Sequence, residues 1–370
     1  MIKGADFSSL HELESRCANL SFSGCKDAVK TLAGYGINSA RLRLWVHPFT
    51  DAGLPYGGGT CCIETVKKLA VRAADCGMSI MLDFHYSDFW ADPSKQFLPK
   101  AWRKLSFEEI CRAAADHTAE SIRQLKSVGV SPRYIQIGNE ITNGMLWPHG
   151  KLEEGAQRSQ GYERLFKIIR ACTEAARSEA GDANLVLHLD RGGDFVLYRE
   201  WFSNALRQGA DFDIIGMSYY PYWHGGIGAL ERNINDTCAA FSKDIIVTET
   251  SFAFTAENFA EDCRPQNYTG LVAGKQFEGR GVSFPFTPQG QADFIEKVFR
   301  AVRSAPDGRG LGVYWWEPCW LPVRGDTWAT ESGRKYINEM HKGDGNEWAN
   351  QALFDYDGSP LPALERIKSF

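Results

Sequence analysis

The sequence predicts an α/β protein in which residues 1–370 form a single (β/α)8, or TIM, barrel. Short apolar runs that end in polar residues alternate along the chain with longer amphipathic segments. No low-complexity linker interrupts this alternation. A strand followed by a helix, repeated many times, implies right-handed crossovers and a parallel sheet. Eight such units close most naturally into a barrel, and an open doubly wound sheet is the alternative.

The elements follow one another in a regular order. Apolar runs typical of buried parallel strands lie at residues 3–8, 39–46, 78–86, 134–141, 184–190, 212–220, 244–250 and 310–318. Amphipathic periodicity predicts helices at residues 27–34, 62–76, 106–128, 158–180, 195–208, 228–241, 288–303 and 361–369. Glycines that can end a helix stand before several strands, at Gly36, Gly77, Gly129, Gly181 and Gly209. The irregular segment 253–286 predicts an elaborated loop after strand seven, at the active-site end.

The net charge and the hydropathy of the chain bear on its binding partners and on its compartment. The net charge of -5 is spread evenly, so nucleic acid and anionic membranes are poor partner candidates. No apolar run approaches the roughly 20 residues that span a bilayer. Met1 directly precedes a strand-like run and leaves no room for a signal peptide. The chain is therefore either cytosolic or an extracellular protein whose signal peptide was removed; we favour the latter, and we expect a monomer.

The ten cysteines and one glycine-rich stretch have plain structural interpretations. No C-x-x-C pair occurs and most cysteines fall in predicted helices, so we interpret them mainly as small buried apolar residues. The stretch "YGGGT" at 56–60 lies in a long loop after the second strand, and we predict a flexible turn there. Nothing in the sequence indicates a nucleotide-binding glycine motif.

Polar residues at the carboxyl ends of the strands converge in a barrel of this kind, because the loops there build the site. These residues are Asp6, Arg41, Arg43, Trp45, Asp83, His85, Tyr86, Asp88, Trp90, Asn139, Glu140, His188, Asp190, Arg191, Tyr219, Tyr220, Trp223, His224, Glu249, Trp315, Trp316 and Glu317. Glu140 and Glu249 end apolar runs, where a buried carboxylate needs a partner, a raised pKa or a chemical role. A salt bridge to Arg41 or Arg43 is the structural explanation for either glutamate.

Taken together, the two glutamates favour glycoside hydrolysis. That reaction needs one protonated and one ionised carboxyl group, and sugars stack on Trp and Tyr, of which the chain has 11 and 13. The separation of the two groups decides between retention and inversion, and the sequence leaves it open. Asp83, His85 and Asp88 resemble a metal-ligand set, but the H-x-H partner motif is missing from the first strand, so we predict neither metal nor cofactor. A serine nucleophile is disfavoured because no G-x-S-x-G occurs.

The motifs "GADFS", "RLRLW", "HYSDFWADP", "GNEITNGMLWP", "MSYYPYWHG", "VTETSFAFT" and "YWWEPCWLP" resemble glycoside hydrolase family 53, the arabinogalactan endo-β-1,4-galactanases of clan A. The resemblance covers nearly the whole chain. It implies cleavage within β-1,4-galactan, with galacto-oligosaccharides as products and with retention of anomeric configuration. "RLRLWVHP" and "HLDRGGD" depart from the family pattern at Val46, His47 and Arg191. The calcium-binding pattern of some bacterial members is missing from "TAENFAEDCRPQNYTG".

The resemblance also implies roles for individual residues. Glu140 matches the acid/base, Glu249 the nucleophile, and Asn139 the amide that binds the sugar 2-hydroxyl. The implied substrate-binding residues are Arg43, Asp83, His85, Asp88, His188, Tyr219 or Tyr220, and His224, with Trp90, Trp223, Trp316 and Trp320 as stacking surfaces. Glu317 is expected to lie behind them. The alternatives are a clan A hydrolase of mannan or cellulose, and a glycan-binding barrel without turnover.

Overall fold

The barrel strands of the computed structural model lie where the apolar runs predicted them. The structure describes residues 1–17, 19–153, 155, 158–277 and 282–370. The strands are β1 (Ile2–Asp6), β2 (Ser39–Leu44), β3 (Ser79–Phe84), β4 (Tyr134–Ile137), β5 (Asn184–Leu189), β6 (Ile214–Ser218), β7 (Asp244–Thr250) and β8 (Gly310–Trp316). Each pairs in parallel with its neighbours in sequence, and β8 pairs with β1 to close the barrel. The predicted (β/α)8 barrel is therefore confirmed.

Helices cover the outside of the barrel. They are α1 (Leu10–Arg16), α2 (Ala28–Gly34), α3 (Ile63–Asp75), α4 (Phe107–Ser127), α5 (Arg158–Glu179), α6 (Phe195–Arg207), α7 (Ile227–Phe241), α8 (Pro288–Arg303), α9 (Glu331–Tyr336) and α10 (Pro362–Lys368). Eight of them were predicted within two residues at each end. The sequence analysis missed α1 and α9, which are seven and six residues long, because so short a helix shows little periodicity. It also missed a hairpin of two short strands, Gly144–Met145 and Gly150–Lys151, between β4 and α5.

Segment 253–286 follows β7, and its described part contains only two short 3-10 turns, as the predicted loop requires. Residues 278–281 of that prediction lie outside the described residues. All ten cysteines are free thiols; five are buried, and Cys25 is exposed. None of the helices that the structure describes is long and apolar enough to cross a bilayer.

The barrel interior changes from apolar to charged along its axis. At the amino-terminal end it is filled by Met81, Tyr134, Val186, Ile214, Ile246 and Tyr314. Gly4 of β1 is required there, because a Cβ atom would lie 2.2 Å from the Tyr314 ring. Because side chains alternate along a strand, Arg41 and Arg43 of β2 point into the barrel, while Leu42 between them packs in the main apolar core. Charged residues thus reach the carboxyl end of the barrel, where the site lies.

Candidate active site

A cavity of about 630 Å³ opens at the carboxyl end of the barrel. Its lining includes both glutamates that the sequence singled out, together with Arg43, His85, Trp90, Asn139, Asp190, Tyr220, Trp223, His224, Trp316 and Trp320. Glu140 and Glu249 are each only 9% exposed. The structure thus places two nearly buried carboxyl groups on one cavity surrounded by aromatic rings.

Glu249, near the end of β7, is held by two donors, one at each carboxylate oxygen. The Tyr220 hydroxyl donates to Oε1 at 2.8 Å, and Arg41 Nη1 lies 3.2 Å from Oε2. Burial raises the pKa of Tyr220 well above its ordinary value, so its hydroxyl stays protonated and remains a donor. The two bonds fix the plane of the Glu249 carboxylate and favour its ionised form.

Arg41 lies at the centre of a buried network below the cavity and has no exposed surface. Its Nη1 also binds Asp6 Oδ2 at 2.8 Å, and its Nη2 lies 2.9 Å from Asp83 Oδ2 and 2.8 Å from Asn139 Oδ1. Burial disfavours the Arg41 cation, but the surrounding carboxylates outweigh that effect and raise its pKa. Arg41 is therefore a permanent cation that three carboxylates share.

Glu140 follows β4 in a left-handed conformation, with φ 48° and ψ 50°. Such a conformation is uncommon outside glycine and typical of positions under functional constraint. Burial raises the pKa of Glu140 well above its ordinary value, and the charges of Glu249 and Asp190 raise it further. The hydroxyl of Ser218 acts in the opposite direction.

The two glutamates have different partners, which act differently on their pKa values. Burial raises the pKa of Glu249 as well, but Arg41 and the Tyr220 hydroxyl oppose that rise. Glu140 has no cation bound to it among the described residues. These surroundings favour the protonated form of Glu140 and the ionised form of Glu249.

Hydrogen bonds to several neighbours fix the side chain of Asn139, the residue just before Glu140. Its Nδ2 donates to the Ala91 carbonyl at 2.9 Å, while its Oδ1 lies 3.1 Å from His188 Nδ1. Burial lowers the pKa of His188 well below its ordinary value, so the ring is neutral. His188 Nε2 in turn lies 2.8 Å from the Ser218 hydroxyl. The amide of Asn139 is thereby fixed at the edge of the cavity.

Four of the residues predicted to bind substrate do not line the cavity. Asp83 and His188 lie beneath it, where Asp83 contacts Arg41 and lies 3.1 Å from His85 Nε2. The Tyr219 hydroxyl donates to the Gly225 carbonyl at 2.8 Å, and its ring stacks on Phe294 of α8, outside the barrel. Of the two adjacent tyrosines, Tyr220 is the one that faces the site, because successive residues at a strand end point to opposite sides.

Asp88 is likewise displaced from the cavity. Its Oδ2 accepts a hydrogen bond from the Lys100 backbone N–H at 2.8 Å, and its side chain is almost fully buried in the loop after β3. A side chain enclosed by its own loop does not reach a substrate in the cavity. Asp88 and Tyr219 were predicted to contact the substrate directly. Their positions outside the cavity contradict that prediction.

Five indole rings form one side of the cavity, which we call the tryptophan wall. Its members are Trp90, Trp316, Trp320, Trp328 and Trp348. The Arg43 guanidinium lies 4.6 Å from the Trp90 ring centre and 5.8 Å from that of Trp316. Trp223 lies next to Trp348, with ring centres 6.2 Å apart, and is 49% exposed.

The sequence analysis missed Trp328 and Trp348, as well as the polar lining residues Asp92, Lys95, Glu339 and Lys342. Trp328, Trp348, Glu339 and Lys342 lie in the long segment between β8 and α10, which follows a barrel strand at its carboxyl end. The rule that such loops build the site would have included that segment.

Behind the tryptophan wall, the turn predicted at 56–60 is present, but it is packed among its neighbours rather than free. Gly57, Gly58 and Gly59 are buried, and a Cβ atom on Gly58 would lie 2.8 Å from Trp90 and 2.7 Å from the Trp328 carbonyl. Gly58 also has φ +61°, which favours glycine. The glycines therefore allow the backbone to pass directly behind the Trp90 ring.

Glu317 lies behind the cavity and fixes Arg43. Its Oε1 is 2.6 Å from Arg43 Nη2, and it accepts hydrogen bonds from the Ser9 backbone N–H at 3.1 Å and the Ser9 hydroxyl at 2.5 Å. Burial raises the pKa of Glu317 to about 7, against the effect of the Arg43 charge. Within the described part of the chain, no group of three or more His, Cys, Asp or Glu residues is arranged to hold a metal ion.

Comparison with known proteins agrees with this geometry. The family model described as glycosyl hydrolase family 53 matches residues 2–367. An endo-beta-1,4-galactanase of Bacillus subtilis (strain 168) is 33% identical, over 98% of this chain and 84% of that protein. An arabinogalactan endo-beta-1,4-galactanase of Cellvibrio japonicus (strain Ueda107) is 31% identical, over 99% of this chain and 90% of that protein. The solved Ignisphaera aggregans GH53 catalytic domain superposes with a TM-score of 0.88 at 31% identity, covering 99% of this chain and 95% of that one. This chain, a glycosidase, belongs to glycosyl hydrolase family 53.

Proposed function

We propose that this protein hydrolyses internal β-1,4-galactosyl bonds of galactan, with retention of anomeric configuration. The observation that carries the proposal is the pair Glu140 and Glu249, two buried carboxyl groups on one cavity, of which Glu249 is bound by Arg41 and Tyr220. Glycoside hydrolysis needs such a pair. The choice of galactan is supported by the family and by the named activities of its relatives.

In the first step, Glu249 attacks the anomeric carbon while the bond from that carbon to the leaving oxygen breaks. Glu140 gives its proton to the leaving oxygen, so the departing sugar leaves as an alcohol. Arg41 and Tyr220 hold the attacking carboxylate in one plane before the substrate arrives. The product of this step is a glycosyl ester of Glu249.

The second step reverses these roles. Once the ester forms, the negative charge of Glu249 is gone, and one of the causes that raise the pKa of Glu140 disappears. Glu140 now carries the charge and takes a proton from water as the water oxygen attacks the anomeric carbon. The ester bond breaks, and Glu249 leaves as a carboxylate. Two displacements at the same carbon restore its configuration.

The aromatic residues support binding of a chain rather than of a single sugar. Neighbouring ring centres are 6.3 Å apart from Trp90 to Trp316, 4.9 Å from Trp316 to Trp348, and 6.2 Å from Trp348 to Trp223. The planes of these rings meet at 53°, 70° and 67°, so the rings form a continuous aromatic surface, and the sugar chain is proposed to pack along it. Asn139 and His85, at the edge of the cavity, are proposed to bind sugar hydroxyls. An enzyme that binds sugars on both sides of the cleaved bond through contacts of this kind cuts within a polymer.

The test is product analysis on linear β-1,4-galactan with wild type and Glu249→Ala side by side, with mannan and cellulose as parallel substrates. We expect wild type to release a series of galacto-oligosaccharides from galactan, with the first-formed anomer in the β configuration by proton NMR. Glu249→Ala is expected to retain less than about a thousandth of that activity. Galactan left intact while mannan or cellulose is cleaved would overturn the substrate assignment.

Three further outcomes would contradict parts of the proposal. Binding of galactan without release of any product would indicate a glycan-binding barrel without turnover. A first-formed product in the α configuration would mean inversion, and Glu249 would then activate water instead of forming an ester. Activity of Glu249→Ala above about a thousandth of wild type would contradict its role as nucleophile.

A further inference from the structure

Trp320 belongs to the tryptophan wall and follows β8. Its ring lies nearly parallel to that of Trp90, with centres 6.5 Å apart and planes 27° apart, and meets the ring of Trp316 edge to face at 5.8 Å. The orientation of Trp320 therefore bears on two other rings of the wall. Trp320 is only 1% exposed at the cavity lining, so it acts on the wall through its contacts with Trp90 and Trp316.

The indole N–H of Trp320 has an unusual acceptor. It donates to Asp326 Oδ2 at 2.6 Å, and the Asp326 residue is only 5% exposed and lies outside the cavity lining. In the same wall, Trp90 donates to the Trp328 carbonyl at 2.9 Å and Trp328 donates to the Gly343 carbonyl at 2.9 Å. Backbone carbonyls thus accept the indole N–H groups of Trp90 and Trp328. Of these three rings, only Trp320 has a carboxylate as its acceptor.

Burying that carboxylate is costly, because its surroundings compensate it poorly. The nearest cation in the described part of the chain, Arg16, lies 4.0 Å from Asp326 Oδ1 and is bound more closely by Glu12 at 2.7 Å. Burial, together with the charge of Glu12, raises the pKa of Asp326 to about 7. A buried carboxyl group with so weak an ion pair needs a role to explain its presence. Among the described residues, the hydrogen bond to its carboxylate comes from Trp320.

We propose that Asp326 is a positioning residue that fixes the ring plane of Trp320 and thereby sets the affinity of the tryptophan wall for the sugar chain. A hydrogen bond from an indole to a carboxylate is strong and directional, so a rotated ring would lose it. Because Trp320 packs against Trp90 and Trp316, a fixed Trp320 also holds these two rings in place. Rings that are already fixed lose little side-chain freedom when a sugar packs on them, which strengthens binding. Asp326 itself touches no substrate. The proposal rests on the proposed function, because it assumes a sugar at the wall.

The experiment compares Asp326→Asn with Asp326→Leu in the full chain. Asparagine keeps the shape and an oxygen acceptor, whereas leucine keeps about the same volume without an acceptor. We expect Asp326→Leu to raise KM for linear galactan about tenfold, the loss of about 1.4 kcal/mol of binding, with kcat changed less than about threefold. Asp326→Asn is expected to recover KM to within about threefold of wild type.

A double-mutant cycle with Trp320→Phe separates positioning from general packing, because phenylalanine has no N–H to donate. If Asp326 acts through the indole, Asp326→Leu costs little in the Trp320→Phe background. An undiminished loss in that background would overturn the proposal. So would a leucine variant that binds galactan as wild type does, or an asparagine variant that is as impaired as leucine.

A readout independent of turnover distinguishes this proposal from the proposed function. The Trp320 indole N–H should give a slowly exchanging resonance in nitrogen-15 NMR of wild type and Asp326→Asn, and a rapidly exchanging one in Asp326→Leu. If wild type neither binds nor cleaves galactan, the proposed function fails, while this resonance still reports whether Asp326 fixes the ring. Identical exchange in all three proteins would refute the positioning role.

Discussion

Replacing Tyr220 with phenylalanine removes one hydroxyl from the centre of the site. That hydroxyl donates to Glu249 Oε1 at 2.8 Å, in a region where both side chains are nearly buried. Arg41 at 3.2 Å from Oε2 then remains as the one group that holds the carboxylate. We expect the carboxylate to rotate about this remaining contact, so that it no longer presents a fixed oxygen to the anomeric carbon.

The size of the effect follows from the bond that is lost. A hydrogen bond to a buried charged group contributes about 1.5–3 kcal/mol, and misplacement of a reacting group by about 1 Å costs up to a hundredfold in rate. We therefore expect kcat/KM on galactan to fall about tenfold to a hundredfold. The bond also favours the ionised form of Glu249, so its loss raises the pKa of Glu249, by about one unit for each 1.4 kcal/mol.

The assay is the pH dependence of kcat/KM for wild type, Tyr220→Phe and Tyr219→Phe. Glu249 must be ionised to attack, so activity falls as pH drops through its pKa, and this acid limb should move to higher pH in Tyr220→Phe. Tyr219→Phe is the matched control, because its hydroxyl binds the Gly225 carbonyl outside the cavity. A Tyr220→Phe enzyme with more than half the wild-type activity and an unmoved acid limb would refute the reasoning, as would equal impairment of both variants.

Two further predictions concern the same network. Glu140→Gln should lower kcat/KM on galactan by about a hundredfold to ten-thousandfold, and much less on an aryl galactoside whose leaving group needs no proton; equal losses on both substrates would contradict the acid role. Arg41→Met leaves the carboxylates of Asp6 and Asp83 buried near one another without their shared cation, so the free energy of unfolding should fall by about 3–5 kcal/mol in urea titration. A fall below about 1 kcal/mol would show that these carboxylates do not depend on Arg41.

The sequence by itself determined the barrel and the two glutamates. Alternating strand and helix patterns depend on local periodicity, which is written in consecutive residues, and they gave element bounds close to those observed. Parallel strands place their carboxyl ends at one edge, so Glu140 and Glu249 could be brought together without any knowledge of their contacts. The same argument also placed Asn139 and Trp90 at the carboxyl end of the barrel.

Only the tertiary structure decided which of two adjacent residues faces the cavity, and which loop residues contact one another. Whether Tyr219 or Tyr220 binds Glu249 depends on the orientation at the end of β6, where one residue of register exchanges the two sides. Trp90 is held by the carbonyl of Trp328, a residue 238 positions away, so no local pattern reveals this contact. Side chains in loops take their positions from such long-range packing, because the loops lack a periodic backbone that would dictate them.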